Sequence, residues 1–315
     1  MKNALVVGCR GQDGSYLLEL LKDQGYTVSG IDQGVVQGAL AHSCSGLDIR
    51  NSADVRHAVA ALLPDEIYYL AAFHHSSEDQ LPDDTALIQG SFEINTLALA
   101  SFLAAIHTVS PRSRLFYAAS SHVFGAPTEP VQDENTPLAP LSPYAISKAA
   151  GIHLCRYYRS QRNVYCSVGI LYNHESPRRS PAFITKRVVA AAVRIKNRKQ
   201  DKLAVGDLDA VVDWGYAPEY VEAMWKILQL DQPGEYVIAT GTLHSVQELI
   251  TTAFEAVGLD WREHVVVEAG RARRPAAAPL QGNSAKLRRL TGWQPRTEFR
   301  RIIQEMIQAE VQNAG

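Results

Sequence analysis

The stretch "ALVVGCRGQDGSYLLELLKDQG", Ala4 to Gly25, indicates the fold class, and the residues after it repeat its pattern. Its first residues are apolar and predict a short buried strand, and its second half predicts an amphipathic helix that ends at Gly25. Gly8, Gly11 and Gly14 lie between these two elements. Glycines at this point let the backbone approach a pyrophosphate, and the start of the helix offers free N–H groups and a positive dipole. The stretch therefore predicts a dinucleotide-binding loop.

The same alternation of short apolar runs and amphipathic stretches continues as far as "VYCSVGILYN", Val164 to Asn173. It predicts an α/β fold, a Rossmann-type doubly wound parallel sheet with helices on both faces. Later the pattern loosens: "GDLDAVVDWGYAPEY" is expected to be irregular, while the residues after Ser245 predict a helix with Glu248 in a capping box. We expect an NAD(P)-binding Rossmann domain over residues 1–172. Residues 173–315 should form mostly a smaller substrate-binding lobe, with segments that return to the sheet.

Composition excludes several classes of protein. The chain has 315 residues, 31 basic and 33 acidic, with a formal net charge of -2, which gives no reason to expect nucleic acid or a membrane surface as partner. Its four cysteines lack C-x-x-C spacing, which is typical of free thiols in a reducing compartment and indicates no metal site. No signal peptide and no run of about 18 apolar residues is apparent. The expectation is a cytoplasmic protein.

The acidic residue after the second predicted strand bears on the choice of cofactor. Asp32 closes that strand, where a carboxylate can accept both ribose hydroxyls of NAD and would repel the 2'-phosphate of NADP. Asp32 therefore favours NAD. Arg10, inside the glycine loop, could attract that phosphate, so NADP stays possible. The residues expected around the cofactor are Gly8, Arg10, Gly11, Gln12, Asp13, Gly14, Asp32, Asp48, Ile49, Ala71, Ala72, Tyr144 and Lys148.

Two further stretches, "FYAASSHVFG" and "SPYAISKAAG", carry a candidate catalytic set. Tyr144 and Lys148 are four residues apart, on one face of a predicted helix. The pKa of a tyrosine phenol is about 10, and a lysine ammonium nearby favours the phenolate and lowers that pKa. The pair can then exchange a proton with a sugar hydroxyl during hydride transfer. Ser120, at the end of the preceding strand, can hydrogen-bond the same oxygen.

At this point the chain resembles the extended short-chain dehydrogenases/reductases, and among them the GDP-mannose 4,6-dehydratase family, nearly from end to end. The segments that carry the resemblance are "GCRGQDGSYLLELLKDQGY", "YYLAAFHH", "DENTPLAPLSPYAISK", "GILYNHESPRR", "GDLDAVVDWGYAPEYVEAMW", "GTLHSVQEL" and "LTGWQPRTEF". The string "GILYNHESPRR" is the most specific of these. The resemblance implies a nicotinamide cofactor and a nucleotide-diphosphate hexose, GDP-linked, bound under the C-terminal lobe.

The resemblance also implies roles for single residues. Ser120 falls on the active-site Thr of the family, and Tyr144 and Lys148 fall on its Tyr and Lys. Asn173 and Arg274 fall where the family contacts the substrate phosphates, and a bidentate guanidinium suits a diphosphate. The residues expected around the substrate are His74, Ser121, Asn173, Arg178, Lys186 and Arg274, with His75 a further candidate; for Arg178 and Arg179 a surface role is an equal alternative.

One departure from the family concerns the elimination of water. The family uses a Glu two residues after the active-site Thr, and this chain has His122 there. Imidazole can accept and donate a proton near neutral pH, so His122 is a candidate catalytic acid/base. If it only packs, elimination is lost. The alternatives are then a 4-keto-6-deoxy-sugar reductase or a C4 epimerase, or a non-catalytic dinucleotide-binding protein.

Other departures concern cofactor and substrate. The Arg before "DWG" is replaced by Val212, and the Arg pair that the family uses with NADP is replaced by Asp32 and Gln33. By analogy with the family we also expect a homodimer or homotetramer, paired through the two helices near the active-site helix.

Overall fold

The computed structural model describes residues 1–33, 35–38, 47–73, 83–268 and 279–314. The strands are β1 (Asn3–Val7), β2 (Thr27–Asp32), β3 (Val35–Gln37), β4 (Glu66–Tyr69), β5 (Arg114–Ser120), β6 (Cys166–Leu171), β7 (Asn173–Glu175), β8 (Leu203–Val205), β9 (Val211–Tyr216), β10 (Glu235–Ile238), β11 (Leu243–Ser245) and β12 (Val265–Val267). The α-helices are α1 (Gln12–Asp23), α2 (Ser52–Leu62), α3 (Asp84–Phe92), α4 (Leu99–Val109), α5 (Pro143–Arg162), α6 (Ile184–Lys196), α7 (Ala217–Leu228), α8 (Val246–Ala256), α9 (Ala285–Thr291) and α10 (Phe299–Ala314).

A seven-stranded sheet forms the centre of the fold, in the order β10-β6-β5-β4-β1-β2-β3. The β2–β3 pair is antiparallel, and the other pairs are parallel. Hydrophobic cores cover both faces of this sheet, which explains why β4 and β6 read as continuous buried runs without alternation. The predicted doubly wound parallel sheet is confirmed. Its carboxyl edge is where open α/β sheets bind their ligands.

A third hydrophobic core lies in the later part of the chain. It joins α6, α8 and α10 with a three-stranded sheet, β11-β9-β7. The strand β10 comes from this part of the chain and pairs with β6, so a late segment does return to the main sheet. The boundary between residues 172 and 173 stays a prediction.

The expectation that Gly206 to Tyr220 is irregular is wrong. Residues 211–216 form β9, and α7 begins immediately afterwards at Ala217. The strand is short, and its middle carries the buried acid Asp213, which accepts hydrogen bonds from Thr240 and Gly241. A buried carboxylate satisfied by backbone donors interrupts the apolar alternation by which strands are recognised.

One long helical segment is apolar enough to resemble a membrane span. The segment Asp84–Val109 runs through α3, a π-helical turn at Glu93–Ala98, and α4, with a mean hydropathy of 1.4. By length and composition alone it could cross a membrane. In the fold, however, Phe102, Leu103 and Ile106 are fully buried within the core on one face of the sheet, as expected of the core helix of a globular protein.

Candidate active site

The three glycines of the loop between β1 and α1 have different tasks. Gly8 has φ +89°, and a Cβ there would lie 2.7 Å from the backbone nitrogen of Ala71. A Cβ on Gly14 would collide with the carbonyl oxygen of Gly8, whereas one on Gly11 would meet only that oxygen, at 3.4 Å. Gly8 and Gly14 therefore permit close packing, and Gly11 leaves an open face. Because Gly11 is the N-cap and makes no side-chain cap, the first N–H groups of α1 can serve an anion.

Asp32 stands beside this loop, at the end of β2. Its carboxylate accepts hydrogen bonds from the backbone N–H groups of Arg10 and Gln33, each at 2.8 Å. The acid is thus fixed next to the glycine loop, and its role at a ribose stays a prediction.

The other predicted cofactor residues differ in how they are placed. Asp48 forms an ion pair with Arg50, with 2.6 Å between Oδ2 and Nη2, and the hydrogen bond from that guanidinium holds the pKa of the carboxyl below its ordinary value. Ile49 packs against the core, whereas Ala71 approaches Gly8 and Ala72 is exposed next to it. The role of Asp48 and Ile49 at an adenine stays a prediction.

Gln12 and Asp13 turn their side chains away from the open face of the loop. Gln12 Nε2 donates to the carbonyl oxygen of His174 at 3.0 Å, and Gln12 Oε1 accepts from the Ser176 hydroxyl at 2.9 Å. The Asp13 carboxylate contacts His174 Nε2 at 2.9 Å. The two side chains predicted to bind the cofactor therefore bind β7 and the residue that follows it.

Ser120, Tyr144, Lys148 and His122 are brought together at the carboxyl end of β5. Ser142 caps α5 through Ala145 N, which places Tyr144 in the first turn and Lys148 one turn later. Ser120, the last residue of β5, is hydrogen-bonded to the Tyr144 hydroxyl. The ring of His122 stands edge-on to that of Tyr144, with 6.2 Å between the centroids. The sequence-predicted set is one constellation in space.

Burial controls the charge states in this constellation. Burial raises the pKa of Tyr144 to about 12, although the hydrogen bond with Ser120 and the charge of Arg179 oppose this. Burial also lowers the pKa of Lys148 to about 7. The Lys148 ammonium donates to the Ala118 carbonyl at 2.7 Å and lies 5.8 Å from the centre of the Tyr144 ring. The expected lowering of the tyrosine pKa by Lys148 is absent, because burial leaves Lys148 neutral above about pH 7, well below the pH at which Tyr144 titrates.

The predicted substrate residues are less uniformly placed. Asn173 begins β7, opposite Trp214 of β9. Ser121 is 3% exposed, so the structure gives it no open face toward a substrate. Lys186 forms an ion pair with Glu310 on α10, with 2.8 Å between the charged atoms. His74, His75 and Arg274 lie outside the described residues.

Arg178 and Arg179 point in different directions. Arg178 hydrogen-bonds Ser15 and Glu19 on α1, at 3.1 and 2.6 Å, and stacks over Tyr16. These contacts favour the surface alternative for Arg178. Arg179, in contrast, is mostly buried, with its Nε 3.2 Å from the carboxylate of the buried Glu175 and its guanidinium over the ring of Phe183. It is close enough to Tyr144 to lower that pKa.

Asn95 is a residue of this region that sequence reasoning did not single out. It lies in the π-helical turn, fully buried, and its side chain accepts from Phe73 N and donates to the Ser147 hydroxyl, both at 2.9 Å. Ser147 is next to Lys148 on α5. Asn95 thereby fixes the loop after β4 against the helix that carries the tyrosine and the lysine. A π-helical turn is frequent at functional sites, but the sequence does not reveal it.

Comparison with known proteins identifies the family. Residues 5–306 match the family model described as GDP-mannose 4,6 dehydratase. The chain is 36% identical to the Arabidopsis thaliana protein named GDP-mannose 4,6 dehydratase 1, over 99% of this chain and 91% of that protein. Among the described parts of the chain, no group of three His, Cys, Asp or Glu side chains could hold a metal ion.

Solved structures show the same fold. RMD from Pseudomonas aeruginosa, complexed with NADPH, superposes with a TM-score of 0.83 at 21% identity, covering 99% of this chain and 100% of that one. The dTDP-glucose 4,6-dehydratase of Bacillus anthracis, in complex with NAD, gives a TM-score of 0.81 at 20% identity, covering 99% and 97%. At these identities the likeness concerns the fold.

Proposed function

The chain belongs to the GDP-mannose 4,6-dehydratase family, and on that premise we propose that it carries a GDP-linked hexose, with NAD, through a 4-keto sugar to 4,6-dehydration. The observation that carries the proposal is the convergence of Ser120, Tyr144 and His122 at the carboxyl end of β5, next to α5 with its buried Lys148. Two neighbouring proton-transfer groups, a phenol and an imidazole, suit a reaction that exchanges protons at more than one carbon.

The residues around the glycine loop fit a nicotinamide dinucleotide. The open face at Gly11 and the uncapped N–H groups of α1 would hold the pyrophosphate, and Asp32 would hold a ribose. When bound, this cofactor supplies a hydride acceptor that later serves as the donor.

Tyr144 and Ser120 act on the C4 hydroxyl in this mechanism. The two side chains hold the same oxygen, and Tyr144 accepts its proton when the substrate is oxidised. A phenol with a raised pKa is a poor base, so the phenolate needs positive charge nearby. Arg179 lowers the pKa of Tyr144, and Lys148, whose ammonium lies 5.8 Å from the centre of the Tyr144 ring, adds positive charge whenever it is protonated.

His122 takes the place of the family's Glu in elimination. Oxidation at C4 acidifies the C5 proton, which the imidazole can accept; the same group can then protonate the leaving C6 hydroxyl. The ring is half-buried next to Tyr144, so both proton-transfer groups can face one bound sugar.

The test is an assay of the purified protein with GDP-mannose and added NAD, following the product by mass. We expect a product lighter by one water and containing a carbonyl group. The variant His122→Ala should lose the elimination while keeping NAD binding, because His122 follows β5 beside Tyr144 whereas the glycine loop follows β1. A wild-type protein that releases no water from GDP-mannose would contradict dehydration.

The replacement of the family's carboxylate by His122 also favours a second candidate, a reductase or C4 epimerase acting on a nucleotide-linked 4-keto sugar. Either reaction needs proton and hydride transfer at C4 alone, for which Ser120, Tyr144 and Lys148 suffice. Consumption of NADH or NADPH with a GDP-linked 4-keto-6-deoxy sugar, without release of water from GDP-mannose, would select this candidate. Turnover of either sugar would exclude a non-catalytic binding protein.

Cofactor preference provides a separate prediction. Asp32 faces the loop with both oxygens engaged by backbone N–H groups, so a 2'-phosphate would meet a fixed negative charge. We expect NAD to bind more tightly than NADP, and Asp32→Ser to shift the ratio toward NADP by about tenfold, or ~1.4 kcal/mol. The control is Asp260→Asn, which removes an exposed acid paired with Arg262, far along the chain from the glycine loop. The measurement is the dissociation constant of each cofactor by calorimetry, and an unchanged ratio in the Asp32 variant would contradict the assignment.

We further propose a cytoplasmic enzyme that self-associates through α4 and α5. Large apolar side chains remain exposed at this face: Leu97 next to α4 is 60% exposed, and Ile146 and Tyr157 on α5 are 44% and 45% exposed. Apolar surface of this kind marks protein contacts when it is contiguous. Light scattering on the purified protein distinguishes monomer, dimer and tetramer.

A further inference from the structure

The start of α1 and the segment after β6 are joined by side chains that the proposed chemistry does not use. Gln12 bonds the backbone of His174 and the hydroxyl of Ser176, and Asp13 bonds the imidazole of His174. We call these four residues the clasp. The two halves of the clasp are some 160 residues apart in sequence, with the Asp13–His174 contact spanning 161 positions.

The imidazole of His174 is held on every side. Its Nδ1 lies 2.7 Å from the Tyr172 carbonyl oxygen, and its Nε2 lies 2.9 and 3.0 Å from the two oxygens of Asp13. Both partners are acceptors, so each ring nitrogen carries a proton and the ring is an imidazolium. One face stacks on the Tyr220 ring, with 4.5 Å between the centroids. The side chain is 9% exposed, which makes this a buried ion pair.

The charges around the pair agree with this assignment. Burial alone would lower the pKa of His174, but the Asp13 carboxylate outweighs it and raises that pKa above the ordinary 6.5. Arg179 opposes the imidazolium, and its own partner is Glu175. The carbonyl of Tyr172 and the ring of Tyr220 are further neighbours of the His174 ring.

The clasp lies between the two halves of the proposed active site. On one side, Gln12 and Asp13 belong to the first turn of α1, whose N–H groups would receive the cofactor pyrophosphate. On the other side, His174 lies between Asn173, which begins β7, and the Glu175–Arg179 pair next to Tyr144. A displacement of His174 therefore shifts both the glycine-loop helix and the substrate-facing segment.

We propose that Asp13 and His174 are a positioning pair that couples cofactor binding to binding of the nucleotide diphosphate; the inference rests on the proposed function. Binding of NAD fixes the start of α1, the clasp transmits that order to Asn173 and Arg179, and the diphosphate then binds more tightly. Because coupling between binding sites is reciprocal, the diphosphate strengthens NAD binding by the same factor.

The test uses GDP as the nucleotide diphosphate and measures dissociation constants by calorimetry. In the wild type, GDP should bind about tenfold more tightly with saturating NAD than without it, within the usual range of such couplings. His174→Asn retains a donor toward Tyr172 but cannot reach Asp13, so it should weaken NAD binding about tenfold and bring the coupling ratio to about one. His174→Gln can still reach Asp13, so it should retain part of both effects.

His244→Asn is the matched control. His244 also pairs with a carboxylate, Glu248 at 2.9 Å, and also stacks on an aromatic ring, Phe299. That ring belongs to the third hydrophobic core, the one that joins α6, α8 and α10. This variant should leave NAD affinity and coupling unchanged. If His174→Asn binds NAD as tightly as the wild type and keeps the coupling ratio, the proposal is wrong.

A pH titration of NAD binding to the wild type tests the proposal even if His174→Asn fails to fold. A histidine whose folded pKa is raised contributes fully below its ordinary pKa of 6.5, and the contribution is lost as pH rises through the raised value. NAD affinity should therefore fall more over that range in the wild type than in His174→Gln, in which Lys148, with its pKa of about 7, still titrates. A wild type that binds no GDP would refute the proposed substrate class, while the NAD titration would still decide whether the clasp positions α1.

Discussion

Replacing Tyr144 with phenylalanine should lower kcat by about 10²–10⁴-fold, the usual contribution of a positioned acid/base group. The measurement is turnover of whichever sugar the wild type converts, GDP-mannose or the 4-keto-6-deoxy sugar. Tyr144 is bonded to Ser120 and next to His122, and no other phenol in the described site is bonded to Ser120. The affinity for NAD is measured beside kcat, because Tyr144 is also expected next to the cofactor.

Tyr157→Phe is the matched control for this variant. Tyr157 lies on the same helix, three turns further on, and is 45% exposed. Its hydroxyl is outside the constellation, so turnover should remain at the wild-type level. A Tyr144→Phe protein that retains wild-type kcat would remove Tyr144 from the mechanism and leave His122 as the proton-transfer group.

The sequence predicts the local parts of this fold well. Helix α1 ends at Asp23, just before the predicted stop at Gly25, and Ser245 caps α8 by accepting from Glu248 N at 3.0 Å. These features depend on residues three or four positions apart, which a pattern can register. The predicted family, the α/β fold and the class of enzyme, an extended short-chain dehydrogenase/reductase, are likewise confirmed.

Long-range features of the site could not be predicted in the same way. Arg178 and Arg179 are neighbours in sequence, yet one binds α1 and the other pairs with the buried Glu175. Gln12 and Asp13 lie in the glycine loop, yet their partners, His174 and Ser176, follow β6 some 160 residues later in the chain. Which way a loop side chain turns depends on the segment that packs against it, and periodicity carries no information on that segment.

The charge states were also outside the reach of the sequence. The spacing of Tyr144 and Lys148 suggests an ammonium that lowers the phenol's pKa, and this would hold for two exposed groups. Here both groups are buried, and desolvation favours the neutral form of each. It raises the pKa of Tyr144 and lowers the pKa of Lys148. The active site therefore contains two buried ionisable groups with strongly perturbed pKa values, as expected for a functional site.

Lys148→Met tests this balance, and it should have opposite effects on activity and stability. The ammonium is 1% exposed, and Ala118 O is its hydrogen-bond acceptor in the described structure. Removing it should lower kcat by about 10²–10⁴-fold, since Tyr144 loses its nearby positive charge. The cofactor-free protein should melt higher, by about 2–4 °C for each kcal/mol of desolvation recovered. Differential scanning calorimetry and the sugar assay measure the two effects.

The pH dependence of Tm separates this explanation from a simple gain in packing. A lysine whose folded pKa falls to about 7 destabilises the fold wherever it is charged in the unfolded chain. This penalty is absent above the ordinary pKa of 10.5, grows as pH falls below it, and is fully present below about 7. The wild-type Tm should therefore rise, relative to that of Lys148→Met, as pH increases above 7. Lys186→Met is the contrasting control: it leaves Glu310 without its partner and should lower Tm. Equal slopes of Tm against pH in wild type and Lys148→Met would show that burial does not depress the pKa of Lys148.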